Sequence, residues 1–382
     1  MPTRFPLMLT AALFATPALA DPIRVATFNA SMNRETQGGL AEALAADDPQ
    51  IAAVVEVIEH VEPDILLINE FDYDPEAAAT FAETHLGGAY PHHFIAPSNT
   101  GLASGVDLNG DGEIGTEGPA YANDAFGFGL FEGQYGMLVL SRYPIDTEAV
   151  RTFQTFLWAD MPEARLPVNE DGSSFYSDAA REVFRLSSKS HWDVPIETPD
   201  GVLHLLASHP TPPVFDGPED RNGTRNADEI RFWADYIENA GYIYDDTGGT
   251  GGLPEGTPFV IAGDLNADPL DGDSTDSAAQ QLLDMSQIND TAPPESEGGT
   301  EAAEQSGAND THLGNPAFDT ADFGDNADEN QPGNLRVDYV LPSENLGVVE
   351  AGVYWPLVGE PGWDAAERAS DHRLVWIDIT LP

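Results

Sequence analysis

The chain contains no cysteine, which excludes disulfides, thiolate metal sites and a cysteine nucleophile. Basic residues are scarce: 15 Lys and Arg stand against 66 Asp and Glu, and a single lysine, Lys189, is among them. The formal net charge of −51 argues against nonspecific capture of a polyanion, which depends on cations that neutralise phosphates. It suits solubility in salty surroundings and says nothing about fold. No apolar run reaches the ~20 residues of a membrane span. The nearest, Leu7 to Leu19, is broken by Pro17, follows Arg4 and leads into Ala18-Leu19-Ala20. That pattern predicts a leader over 1–20, cleaved after Ala20, and hence a secreted or periplasmic protein.

Residues 21–382 suffice for a core without staples and are read as one domain. Strand and helix patterns alternate along it. Ile23 to Phe28 alternates and ends at Asn29. Asp48 predicts a helix N-cap with Pro49 at the first position, and Ile51, Val54, Val55, Ile58 and Val61 share one face. Continuous apolar runs, as expected of strands covered on both faces, occupy 65–68, 137–140 and 259–262. A helix is expected over 226–238 and closing strands over 336–341 and 373–380. Stretches 96–136 and 286–334 are Gly- and Asp-rich or poorly patterned and read as loop insertions.

Chemistry gathers where strands end. Phe259-Val260-Ile261-Ala262 runs into Gly263-Asp264-Leu265-Asn266. In extended backbone Asp264 and Asn266 would project to one side and Leu265 to the core. Asn29, Asn69-Glu70, Ser208-His209 and Ser370-Asp371-His372 stand at other strand ends. Oxygen donors from Asn29, Glu70 and Asp371 suit Mg²⁺ or Mn²⁺. Two histidines, His209 and His372, suit proton transfer near neutral pH.

These motifs come in a telling order: T-F-N (27–29), P-D-I-L-L-I-N-E (63–70), G-M-L-V-L-S-R-Y-P-I (136–145), S-H-P (208–210), G-D-L-N (263–266), R-V-D-Y-V-L (336–341) and S-D-H (370–372). The chain thereby resembles the endonuclease/exonuclease/phosphatase superfamily, whose members include deoxyribonuclease I. The resemblance implies an α/β fold of four layers, two packed mixed β-sheets flanked by helices. It implies metal-dependent hydrolysis of a phosphoester by in-line attack of water. Carried over residue by residue, Asn29 positions metal or phosphate, Glu70 is the main metal carboxylate and Asp371 a second ligand. Asp264 orients or deprotonates water, Asn266 contacts the phosphate, and Asp338 orients His372. His209 is the second histidine, and Gln134 stands where nuclease-like members place its glutamate partner.

Two further stretches carry expectations. Read as a strand, 181–191 puts Arg181, Arg185 and Lys189 on one face as a phosphate-binding strip, and R-E-V-F-R-L-S-S resembles the deoxyribonuclease segment whose arginine meets phosphate. Asp107, Asn109 and Asp111, with Gly112, resemble the start of a calcium-binding EF-hand loop. Gly118 stands where a bidentate glutamate belongs, so a structural Ca²⁺ site and a plain Asp/Gly loop are both open. The function expected is a monomeric, secreted phosphodiesterase, a nuclease or a relative. The alternatives are a phosphatase on small or lipid-like phosphoesters and a non-catalytic, acidic calcium-binding module.

Overall fold

The computed structural model describes residues 21–324, 326 and 331–382. The leader expected over 1–20 lies outside the described residues. In chain order the strands are β1 (Ile23–Asn29), β2 (Ile65–Asn69), β3 (His92–Phe94), β4 (Met137–Ser141), β5 (Arg151–Thr152), β6 (His191–Thr198) and β7 (Gly201–Ser208). They continue as β8 (Phe259–Asp264), β9 (Ala321–Asp322), β10 (Asn334–Leu335), β11 (Asp338–Pro342), β12 (Gly347–Tyr354) and β13 (Leu374–Thr380). One sheet runs β12-β13-β1-β2-β4-β3 and the other β11-β8-β7-β6-β5, while β9 and β10 form a small ribbon.

Each large sheet is mixed, with one parallel pair and antiparallel neighbours. The pairs are β1 with β2 and β7 with β8. Helix Pro49–Val61 connects the first pair and helix Arg221–Ile237 lies between the second. Asp48 caps the former, accepting from the Gln50 and Ile51 amides as its sequence position predicts.

The apolar runs are continuous because each strand faces two cores. Val25, Leu67, Val139, Leu205, Val260 and Ala262 pack between the sheets. Phe28, Leu66, Ile68 and Leu138 turn outward onto Ile51, Val54 and Ile58 of helix Pro49–Val61. Leu206, Ile261 and Leu341 turn the other way onto Ile230 and Trp233 of helix Arg221–Ile237. The result is two sheets face to face with helices outside, as the four-layer expectation required.

Some expectations shift. The second helix begins at Arg221, five residues before the apolar pattern, and β11 starts at Asp338 rather than 336. The strand expected over 181–191 does not exist. Helix Asp178–Arg181 ends there, and β6 begins only at His191. The cause lies in helix Arg221–Ile237, whose side chains take up the backbone groups a neighbouring strand would have used. Arg225 donates to the Arg185 and Leu186 carbonyls, and Glu229 accepts from the Ser188 amide. The 286–334 insertion carries short helices and the ribbon, and its Ala321 pairs with His372.

Candidate active site

The parallel strands all end on one side of the molecule, and there the two sheets are tied together by asparagine side chains. Asn69, ending β2, accepts from the Asp264 amide (3.1 Å) and donates to the Ser208 carbonyl (3.2 Å). Asn29, ending β1, donates to Asp264 Oδ2 (2.9 Å). Gly263 makes this approach possible. Its φ is +151°, and a Cβ would sit 2.0 Å from the Ser208 carbonyl oxygen. Gly263→Ala is expected to lower the unfolding free energy by about 1–3 kcal/mol through that overlap, read by urea denaturation. An unchanged midpoint would contradict the close approach.

Asp264 is the centre. It is buried, 3.3 Å from His209 Nε2 and 3.8 Å from His372 Nε2 through Oδ2. Burial opposes its charge, yet the His372 and His209 rings and the Asn29 amide hold it well below the usual carboxylate range. Asn266 does not project beside it by strand alternation, because β8 ends at Asp264 and Asn266 adopts a left-handed φ of 52°. The turn brings the Asn266 amide back to Asp264 Oδ1 (2.8 Å) and its carboxamide to the Pro210 carbonyl (3.1 Å).

The two histidines differ in environment. Asp338 Oδ2 holds His372 Nδ1 at 2.8 Å and accepts from the Thr320 hydroxyl at 2.9 Å. Burial works against a charge on His372, but Asp338 and Asp264 outweigh it and push the imidazole up to about 10. Burial likewise pushes Asp338 up. His209 is lowered by burial and by the Lys189 ammonium, and its Nδ1 has no partner among the described residues. Gln134 does not supply one. It is committed to the Leu130 amide and the Arg34 carbonyl, both at 2.7 Å. The pair therefore holds one charged and one neutral ring.

Glu70 follows β2 in a left-handed conformation (φ 61°), an uncommon state for a side chain of its size and one found at functional sites. Asn33 Nδ2 donates to its Oε2 at 2.7 Å. Glu70 favours the charged forms of both Lys189 and His209. Asp371 is exposed and receives only the Ser31 and Ser370 hydroxyls, at 3.5 and 3.3 Å. Among the described residues Glu70 and Asp371 thus each keep an oxygen free, and Asn29 Oδ1 accepts only the Ser31 amide. That hard-oxygen set fits Mg²⁺ or Mn²⁺. Asp264, Asp338 and His372 also bring one potential ligand atom each within 4.8 Å of one another, but the His372 imidazolium has no lone pair to offer a cation.

The supposed phosphate strip does not form, because 182–190 is not a strand. Arg181 pairs with Asp178 on its own helix turn, and Arg185 donates to Asn99 Oδ1 (2.7 Å) over the Phe126 ring. Lys189 is buried, and burial lowers its ammonium against the opposing effect of Glu229, Glu70 and Asp264. In the 107–113 loop, Asp107 accepts from the Gly110 and Gly112 amides, Asn109 from Asp111 and Asp111 from Glu113. Gly118 opens a short helix there. Sequence reasoning passed over Asn33, Asn69 as the inter-sheet tie, and Thr320. Asn69 carried a signal, as an amide beside Glu70 at a strand end. Thr320, inside the unpatterned insertion, carried none.

A carboxylate held ionised at the seam of two sheets, with oxygen donors for a hard cation and one charged imidazole, is equipped to attack a phosphoester with water. The chain is a metal-dependent phosphoester hydrolase, and the comparisons give its family. The model of the endonuclease/exonuclease/phosphatase family matches residues 26–372, so the chain belongs to that family. It is similar in fold to an endonuclease/exonuclease/phosphatase from Beutenbergia cavernae, at 17% identity over 95% of this chain and 72% of that one, with a TM-score of 0.53. Two others are similar at a TM-score of 0.47. A family protein from Leptotrichia buccalis is 14% identical over 94% of this chain and all of its own. Sphingomyelinase C from Streptomyces griseocarneus is 15% identical over 94% of this chain and 99% of its own. No curated protein matches by sequence.

Proposed function

We propose that the protein is an exported phosphodiesterase that cleaves small phosphodiesters with a Mg²⁺ or Mn²⁺ ion held by Glu70, Asp371 and Asn29 Oδ1. The observation that carries this reading is the Asp264–His372–Asp338 chain. Asp264, ionised and fixed by Asn29 and Asn266, orients the attacking water and takes its proton. His372, charged and held by Asp338, stabilises a phosphoryl oxygen as negative charge builds. His209, neutral, stands on the other side of that carboxylate at Asp264 Oδ2, and the leaving-group oxygen takes a proton from the His372 imidazolium as the P–O bond breaks. The metal, when bound, neutralises phosphoryl charge and aligns the ester for in-line displacement. Export rests on the leader motif at 1–20, and the 107–113 loop is the candidate for a structural Ca²⁺.

A small substrate is preferred to nucleic acid because the described residues form no cationic track. Ten of the thirteen arginines among the described residues pair with the protein's own carboxylates. A diester is preferred to a monoester because its single negative charge meets less repulsion in a cleft that holds Glu70, Asp264, Asp338 and Asp371. The test is a substrate panel at two salt levels with Mg²⁺, Mn²⁺ or Ca²⁺, using His372→Ala as control. Bis-nitrophenyl phosphate should be hydrolysed faster than nitrophenyl phosphate, and plasmid DNA, RNA and sphingomyelin complete the panel. The variant should lose at least ~10²-fold in turnover. The absence of metal-dependent, His372-dependent hydrolysis removes the proposal. Faster monoester hydrolysis replaces it with a phosphatase, and plasmid DNA as the fastest substrate replaces it with a nuclease.

A further inference from the structure

Away from the cleft, a second group of polar side chains lies on the outer face of the sheet β11-β8-β7-β6-β5. His204 stands four residues before Ser208 on β7, roughly 13 Å along the strand from the end that meets Asn69. It shares that outer face with Leu206, which packs onto helix Arg221–Ile237. Asp193, 2% exposed on β6, bonds His204 Nδ1 at 2.7 Å and accepts from the Tyr236 hydroxyl at 2.6 Å. A carboxylate offers only acceptors, so the proton of the pair sits on Nδ1. The neutral ring then turns the lone pair of Nε2 outward, and no described residue meets it. A carboxylate behind an imidazole fixes both its tautomer and its direction.

His204 lines a cavity of about 280 Å³. Pro195 pairs with His204 and Ile145 with Ile196, so Asp146, Pro195 and His204 form one row across three strands of its lining. Asp146 and His204 stand roughly 10 Å apart at Cα, two strand spacings. Val202, Leu253 and Pro254 supply an apolar wall. The loop before that wall is held by Arg151. Its Nε donates to Asp245 (2.7 Å), its Nη1 to the Tyr236 hydroxyl (3.2 Å) and the Gly251 carbonyl (2.9 Å), and its Nη2 to the Gly249 carbonyl (3.2 Å). Gly252 packs so closely that a Cβ there would lie 1.9 Å from the Tyr236 carbonyl oxygen. The cavity is therefore preformed, and its guanidinium is already matched by Asp245.

The polar side-chain atoms of this lining left without a described partner are acceptors. They are His204 Nε2 and Asp146 Oδ2, since Asp146 Oδ1 takes the Ala149 amide at 3.3 Å. A ligand must bring the donors, and the net charge of −51 favours one that is positive. We infer that the cavity binds a small organic ammonium, with its N–H groups on His204 Nε2 and Asp146 Oδ2 and its hydrocarbon part against Val202, Leu253 and Pro254. A phosphate or carboxylate would meet two acceptors there and a guanidinium already paired. The site shares no residue with the cleft and stands independently of the phosphoesterase reading.

The test is calorimetry of the whole protein with n-butylammonium in about 0.3 M NaCl, where attraction to the acidic surface at large is screened. Butylammonium should saturate a single site per chain. n-Butanol should bind about tenfold more weakly or worse, and n-butyrate not at all. Asp146→Asn and His204→Asn should each weaken butylammonium by about tenfold, the scale of one hydrogen bond to a charged group, with an unchanged circular dichroism spectrum. Asp146 is exposed, so its variant decides the matter even if His204→Asn leaves Asp193 unpaired and fails to fold. The absence of a saturable site overturns the assignment. So does butyrate binding as tightly as butylammonium, or full butylammonium affinity in folded Asp146→Asn, the mark of a counter-ion gathered by the surface. If butylammonium binds as expected and no phosphoester is hydrolysed, the cation site stands and the hydrolase reading falls.

Discussion

Replacing Asp338 with asparagine is expected to lower turnover by about 10³- to 10⁴-fold, the scale seen when the carboxylate behind a catalytic histidine becomes an amide. The change is nearly isosteric, at a buried position opposite Asp264 in the β11–β8 register. What it removes is charge and acceptor strength at His372 Nδ1. An amide nitrogen turned toward the ring would favour the tautomer with Nδ1 unprotonated. An amide oxygen would keep the tautomer but lose the ion pair.

The loss should depend on pH. In the wild type, against the opposing effect of burial, Asp338 and Asp264 hold the imidazole charged up to about pH 10. This raised value stabilises the folded state fully below the unfolded histidine value near 6.5, and the contribution disappears as pH rises through about 10. In Asp338→Asn the charge should be lost several units lower. The deficit should then be largest at pH 8–9 and smaller near pH 5–6. A kcat profile for both proteins checks this. A variant with wild-type turnover at pH 8, or an equal deficit at every pH, would refute the imidazolium role.

Asp319→Asn is expected to stabilise the protein at alkaline pH by on the order of 5 kcal/mol, from a shift of about four units at ~1.4 kcal/mol each. Asp319 is 7% exposed and accepts no hydrogen bond from any described residue. Burial, followed by Asp268 and Asp271, pushes it up to about 8. The sign follows from proton binding. Between the unfolded value near 3.8 and about 8, the native state keeps a proton that the unfolded chain has released. Stability therefore falls with rising pH across that window and levels off above it. The gap between variant and wild type should be small near pH 4 and widest at pH 9, measured by urea denaturation. Parallel curves at the two pH values would show that Asp319 is ionised at no cost.

The fold was readable from sequence where a strand faces two cores, because covering both faces leaves an unbroken apolar run such as Ile65 to Ile68. It was readable in helix Pro49–Val61, where cap, proline and periodicity agree. It was not readable in 181–190. There a buried arginine and glutamate from a distant helix satisfy the backbone, and local alternation is an accident of composition. β12 was missed for the related reason that much of it is exposed. In the site, the acids and histidines stood out as polar groups ending apolar strands. Their supports did not, since Thr320 and Asn33 act through contacts 18 and 37 positions away. The resemblance already paired His372 with Asp338 and left His209 without a glutamate partner, but it did not give their charge states. Their difference in charge comes from burial and then Lys189 at His209, against burial outweighed by Asp338 and Asp264 at His372.

The ties made by Asn29 and Asn69 have a consequence for engineering. The catalytic carboxylate hangs from one sheet and the amide that steadies it from the other, so their spacing equals the thickness of the layer between. Side-chain volume at Val139, Leu205 or Ala262, deep in that layer, becomes a setting for the reaction itself. A methyl group added there acts as a shim under the active site, moving Asp264 relative to Asn29 without touching either. Variants selected for a tighter interior would thus be tuning rate as well as stability, from positions no substrate ever meets.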